Sequence, residues 1–166
     1  MTPYYLFDED AVDFHENYKN ICDIHGTKGT YDICKQWCDD YFYLPARQEH
    51  RGIGGIFFDD LSSLKSFSLP SSKKENDIDN IMPEDMNDID VKENELNQAM
   101  FFTQSVCNNF MPSYLPIVTK RKSLPYNENQ RYWQLLRRGR YIEFNLLYDR
   151  GVKFGLVPGG KILSHN

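Results

Sequence analysis

Ala11, Phe14, His15, Tyr18, Ile21 and Cys22 recur at spacings of three and four, which predicts an amphipathic helix over residues 9 to 24. Asp8 stands before it as an N-cap, and Gly26 and Gly29 close it. A second helix is predicted over residues 30 to 40, with Tyr31, Cys34, Trp37 and Cys38 on one side. Tyr41 to Leu44 is apolar and aromatic, and Pro45 stops it. Residues 51 to 60 then alternate as a strand would. Arg51, Ile53, Gly55, Phe57 and Asp59 fall on one face, and Gly52, Gly54, Ile56, Phe58 and Asp60 on the other. Its glycines weaken such a strand, yet leave bare backbone that a flat ligand can approach. On the pattern alone we read it as a sheet strand with a bulge and a polar exit.

From Ser62 to Asn97 the pattern disappears. The stretch is rich in Ser, Lys, Asn and Asp and almost free of aromatics, so it buries too little apolar surface to offset its ordering entropy. We read Ser68 to Glu95 as disordered. Helical spacing returns over Leu96 to Lys122, with Ala99, Phe102, Val106 and Phe110 on one face. Pro112 and Pro116 are expected to kink or split that helix near Met111. Asn127 to Arg138 predicts a further helix with Trp133 and Leu136 as its apolar contacts. Tyr141 to Asp149 alternates, with Ile142, Phe144, Leu146 and Tyr148 opposite Tyr141, Glu143, Asn145 and Leu147, and predicts a strand. A turn at Arg150-Gly151 leads to a second strand over Lys153 to Val157. The organisation expected is a first part over residues 1-61, an acidic insert over 62-96 and a second part over 97-166.

Composition changes this picture in one respect. The net charge of -5 is concentrated: residues 71 to 97 carry nine acids against Lys73, Lys74 and Lys92, so the rest of the chain is close to neutral. Lys120 to Lys122, Arg131, Arg137, Arg138 and Arg140 make the last third basic. A solvated helix face and a carboxylate-binding site explain those cations equally well, because guanidinium pairs with carboxylate through two parallel hydrogen bonds. Nucleic acid is not an expected partner, since the overall charge is acidic and no recognition motif appears. No apolar run reaches the roughly 18 residues of a membrane span, and Met1 to Asp10 does not read as a signal peptide. The four cysteines, Cys22, Cys34, Cys38 and Cys107, lack zinc spacing, and we read them as buried free thiols rather than a metal site or disulfide. His15 lies on or beside an apolar stripe and is read as a hydrogen-bonded core histidine. An EF-hand calcium loop is not seen in the acidic stretch.

Three ordered blocks resemble the oxygen-dependent coproporphyrinogen III oxidases. They are Thr2-Pro3-Tyr4-Tyr5 with Glu9-Asp10-Ala11; Trp37-Cys38-Asp39-Asp40-Tyr41-Phe42 with Arg51 to Leu61; and Arg137-Arg138-Gly139-Arg140-Tyr141 through Tyr148-Asp149-Arg150-Gly151 to Lys153-Phe154-Gly155-Leu156. The resemblance spans the chain apart from the acidic insert. It implies an α+β fold, with this chain forming part of a flat antiparallel sheet flanked by helix layers, in a homodimer. It implies oxidative decarboxylation of two propionates of coproporphyrinogen III to vinyl groups in haem biosynthesis, with molecular oxygen as co-substrate and no obligatory cofactor.

The resemblance also distributes roles. Arg51 is expected as a catalytic and substrate-binding residue, with Asp59 a second catalytic candidate. Gly159, Gly160 and Lys161 match a substrate-contacting turn, with lysine where the family has arginine. Tyr141, Glu143, Asn145 and Leu147 are expected at the dimer interface. His15 matches one of several histidine ligands described in bacterial members, but Ala46 replaces another, so no metal site is expected and His15 is kept only as a candidate ligand. The family's proposed catalytic histidine and an important aspartate correspond to positions before Met1. We therefore expect a chain truncated at both ends, inactive alone, with a non-catalytic tetrapyrrole-binding or dimer-partner fragment as the alternative. The expected compartment is the cytoplasm, or else the mitochondrial intermembrane space.

Overall fold

A computed structural model describes residues 6–65 and 86–155. Among these residues the chain is mostly helical. Its elements are α1 (Asp8–His25), α2 (Thr30–Tyr41), β1 (Tyr43–Leu44), β2 (Glu49–His50), α3 (Met86–Asn108), α4 (Phe110–Arg121), α5 (Glu128–Leu147) and α6 (Arg150–Gly155). The α+β class holds, but the only sheet among the described residues is an antiparallel ladder of two short strands. The chain divides into two compact units. One comprises Phe7–Tyr41 and Gly55–Leu124, and the other Met1–Leu6, Phe42–Gly54 and Pro125–Asn166.

In the first unit α1 packs against α2, α3 and α4. Its start differs by one position from expectation. Asp8 lies inside the helix, and the N-cap is Phe7, which offers no side-chain cap. Asp8, Glu9 and Asp10 sit in the first turn, where the helix dipole favours negative charge. After α1, Gly26 sits where a Cβ would meet the Cys22 carbonyl oxygen at 2.5 Å and Thr30 at 2.9 Å, so only glycine allows α2 to begin so close. The core joins Cys22, Leu64 and Phe102, with Tyr31, Ile56, Phe58, Leu61 and Val106 packed against it. The described helices include none long and apolar enough to cross a membrane.

Residues 51 to 60 form no strand, which corrects the expectation. Part of the alternation survives without a ladder. Ile56 and Phe58 reach the Cys22–Phe102 cluster, while the Phe57 ring stacks on Tyr41 at 4.8 Å and meets Trp37 edge-on at 5.9 Å. The Phe57 N–H donates to the Cys34 carbonyl at 3.1 Å, so the segment borrows its partner from a helix rather than a strand. α3 begins at Met86, so the last ten residues of the stretch read as disordered are helical. That stretch is acidic, and a helix N-terminus favours acidic residues. The break between α3 and α4 falls at Asn109, before the prolines. Pro112 occupies the first turn of α4, where its missing N–H costs nothing, and Pro116 lies inside the helix.

The ends of α1 and α4 meet through charge. Arg121, in the last turn of α4, donates from Nε and Nη2 to the two carboxylate oxygens of Asp10, both at 2.9 Å. Its Nη2 also reaches Glu9, and its guanidinium lies 3.6 Å from the centre of the Phe7 ring. The acidic start of one helix thus meets the basic end of another.

In the second unit Asn127 caps α5. Its side chain accepts from the Gln130 N–H at 3.0 Å, and the Gln130 side chain accepts from the Asn127 N–H at 2.9 Å. The helix runs nine residues past Arg138, so the expected strand over 141 to 149 is helical as far as Leu147. α6 covers most of the second expected strand, Lys153 to Val157, whose last two residues lie outside the described ones. The sequence here satisfies two periods. Phe144 and Tyr148 fit an alternating strand, but Arg137, Arg140, Tyr141, Phe144 and Tyr148 also follow the three- and four-residue steps of one helix face. A helix satisfies its own backbone groups, whereas a strand needs a neighbour for them. Among the described residues the one ladder pairs β1 with β2 and offers 141 to 149 no partner.

Two outcomes test these assignments. The Arg121 guanidinium holds the Asp10 carboxyl below its ordinary value of 3.8. A depressed folded-state pKa contributes stability in full above the ordinary value and loses it as pH falls through the folded one. Asp10→Asn is therefore expected to lower the Tm at neutral pH, with the gap from wild type closing below about pH 4. A gap independent of pH contradicts the pairing. Gly139 lies mid-helix in α5, and a Cβ there meets nothing within 4 Å. Gly139→Ala is expected to stabilise by about 0.5–1 kcal/mol in urea denaturation. No gain, or a loss, contradicts the helical assignment.

Candidate functional site

The second unit holds a cluster of arginines and glutamates. β1 and β2 form a hairpin in which Tyr43 faces His50 and Leu44 faces Glu49. The Arg51 N–H extends the ladder by donating to the Phe42 carbonyl at 3.0 Å. The turn between the strands is tight. The Arg47 N–H donates to the Leu44 carbonyl at 3.0 Å, and Gln48 takes a φ of 53°. Arg47, Glu49 and Arg51 are alternate residues, and all three reach α5.

Arg51 is surrounded by aromatic rings. Its guanidinium carbon stands 4.7 Å from the centre of the Phe42 ring, 4.4 Å from Tyr141 and 5.3 Å from Phe144. Its Nη1 donates to Asn145 Oδ1 at 3.2 Å. Phe144 is fully buried and packs against Phe42 at 5.1 Å between ring centres. Aromatic faces attract a cation through their quadrupole, and guanidinium stacks on them more readily than ammonium does. Arg51 is thus fixed in orientation by three rings and an amide.

The remaining charges interlock around it. Arg140 Nε donates to Glu49 Oε1 at 2.6 Å, and Arg137 Nη1 approaches the same oxygen at 3.2 Å. Arg137 Nη2 donates to the carbonyls of His50 at 2.6 Å and Arg51 at 2.9 Å. Arg47 Nε donates to both carboxylate oxygens of Glu143, at 3.2 and 3.3 Å. Arg140 Nη1 lies 3.7 Å from Glu143. Four guanidiniums and two carboxylates leave this face with a net charge of +2.

The placement of the expected residues is mixed. Arg51 stands at the centre of the cluster. Asp59 belongs to the other unit and is exposed. Gly159, Gly160 and Lys161 lie outside the described residues. Tyr141, Glu143 and Asn145 do not share one sheet face. On α5, Tyr141 and Asn145 meet Arg51 while Glu143 meets Arg47, and Leu147 is exposed. Glu49 and Arg47 were missed, although their alternation with Arg51 was visible in the sequence. His15 Nδ1 lies 3.0 Å from the Tyr31 hydroxyl, as a hydrogen-bonded histidine should. Among the described residues no three His, Cys, Asp or Glu side chains are grouped to hold a metal ion. Cys22, Cys34 and Cys38 are buried free thiols, whereas Cys107 is exposed. Asp149, expected at the end of a strand, instead accepts from the Val152 N–H at 2.9 Å and caps α6.

An arginine cluster with aromatic walls is an arrangement suited to carboxylates. The sequence comparisons place the chain in a family. The coproporphyrinogen III oxidase family model matches residues 1–164, and the chain belongs to that family. It is 44% identical over 164 residues to the chloroplastic oxygen-dependent coproporphyrinogen-III oxidase of Glycine max. It is 42% identical over 164 residues to the oxygen-dependent coproporphyrinogen-III oxidase of Francisella tularensis subsp. holarctica. Each match covers 99% of this chain, but the chain spans only 34% of the first relative and 43% of the second.

Proposed function

We propose that this chain forms part of an oxygen-dependent coproporphyrinogen III oxidase of haem biosynthesis, and that the Arg51 cluster binds propionate groups of the substrate. The observation that carries the reading is family membership along almost the whole chain. The arginine-rich face supports it, because a macrocycle with four carboxylates needs fixed cations beside apolar surface.

The reaction balances as follows. Each propionate loses its carboxyl as carbon dioxide and a hydrogen from the carbon next to the ring, leaving a vinyl group. For each propionate the two electrons and the proton of that hydrogen, with one further proton from solvent, pass to molecular oxygen. A carboxylate that must depart as neutral carbon dioxide needs to be held, and the carbons beside it aligned for loss of the hydrogen. A guanidinium held by rings can do this with little reorganisation, since its orientation is set before substrate arrives. Phe42 and Tyr141 beside it supply flat apolar surface on which a pyrrole can rest.

The test is turnover of coproporphyrinogen III under air by the intact enzyme. Arg51→Lys keeps the charge but loses the planar fork that stacks and pairs. It is expected to lower kcat/KM by the equivalent of about 2–4 kcal/mol, with the far-ultraviolet circular dichroism spectrum unchanged. Unaltered kcat and KM contradict the assignment. Substrate binding without turnover in wild-type protein favours the non-catalytic tetrapyrrole-binding reading instead.

A further inference from the structure

We infer that Glu49 is a built-in stand-in for a substrate carboxylate: it occupies the Arg137–Arg140 pair and must give way when an anionic ligand binds there. The inference rests on the reading that this face binds propionates, and goes beyond it by naming the residue that competes with them.

The geometry separates Glu49 from the other acid of the cluster. Glu143 pairs with Arg47, whose side chain is about half exposed (47%), and stands one helical turn from Arg140 on the same helix. Glu49 instead takes the two guanidiniums that are mostly buried, each with 19% of its side chain exposed. Its own side chain is 35% exposed, so its carboxylate lies within reach of solvent. Both contacts converge on one oxygen, Oε1.

What remains after Glu49 leaves is already organised. Arg137 stays anchored by its Nη2 bonds to the carbonyls of His50 and Arg51. Arg140 stays near Glu143. The backbone of Glu49 is held in the ladder opposite Leu44, so only its side chain needs to turn away. Two oriented, largely buried guanidiniums would then face an incoming carboxylate, and the cluster would change from +2 to +3. Buried cations left without a counter-charge are costly, so the same pair that holds Glu49 would favour a replacement anion. Glu49 thereby weakens ligand binding while keeping the empty site folded.

The test measures binding of coproporphyrin III, the stable fluorescent analogue of the substrate, to wild type and to Glu49→Gln. The variant keeps the size of the side chain but not its charge. It is expected to bind about tenfold more tightly, as one relieved competing charge pair predicts. Its Tm is expected to rise with added succinate more than that of wild type, against sodium chloride at matched ionic strength. A folded Glu49→Gln with equal or weaker porphyrin affinity overturns the inference. Should that variant fail to fold, Glu49→Asp keeps the charge but withdraws it by one methylene, and is expected to tighten binding less. Unchanged or weaker affinity there overturns the inference as well. If neither protein binds the porphyrin yet succinate selectively stabilises Glu49→Gln, the carboxylate stand-in holds and the porphyrin reading fails.

Discussion

Two guanidiniums from one helix close on one carboxylate of a two-stranded hairpin. The Glu49 oxygen that receives Arg140 at 2.6 Å also receives Arg137 at 3.2 Å. An isolated two-stranded hairpin is marginal in water, and this one has only two residues in each strand. It persists because its alternate side chains, Arg47, Glu49 and Arg51, fasten to α5. Each of these pairs is of modest worth when exposed, so their strength comes from shared burial and from the rings around Arg51. The same fastening collects four arginines on one surface, so what stabilises the hairpin also creates the candidate site.

Charge is used in a second way in the other unit. There the acidic first turn of α1 meets the basic last turn of α4, and Asp10 with Arg121 forms a two-pronged bond. Each residue already sits where its own helix dipole favours it, so pairing adds to a preference that exists locally. Nothing in that pair points to a ligand. In the hairpin unit arginines outnumber acids, and that surplus is what distinguishes a candidate site from a structural ion pair.

The sequence made the helical unit largely legible. Ala11 to Cys22 and Tyr31 to Cys38 announce α1 and α2 by period, and Gly26 ends the first where a Cβ would strike the Cys22 carbonyl. Arg51 was also legible, as a cation within a specific motif. The two strand failures share one cause. Residues 51 to 60 and 141 to 149 both alternate, but alternation reports only which side chains face together, not whether a neighbouring strand exists to take the backbone bonds. Ile56, Phe57 and Phe58 keep their alternate directions with no ladder. Tyr141, Phe144 and Tyr148 satisfy helical spacing as well, and the arginines at 137 and 140 extend that face backwards. Glu49 stayed hidden because its role depends on residues nearly ninety positions away.

The central claim is that the hairpin is held to α5 through the carboxylate of Glu49. A double-mutant cycle between Glu49→Gln and Arg140→Gln, read by chemical denaturation at low salt, measures that link directly. The account predicts a coupling of about 0.5–1.5 kcal/mol that persists in part in high salt, because Arg140 is mostly buried while the Glu49 carboxylate reaches solvent. Additive effects, with coupling near zero, would contradict it.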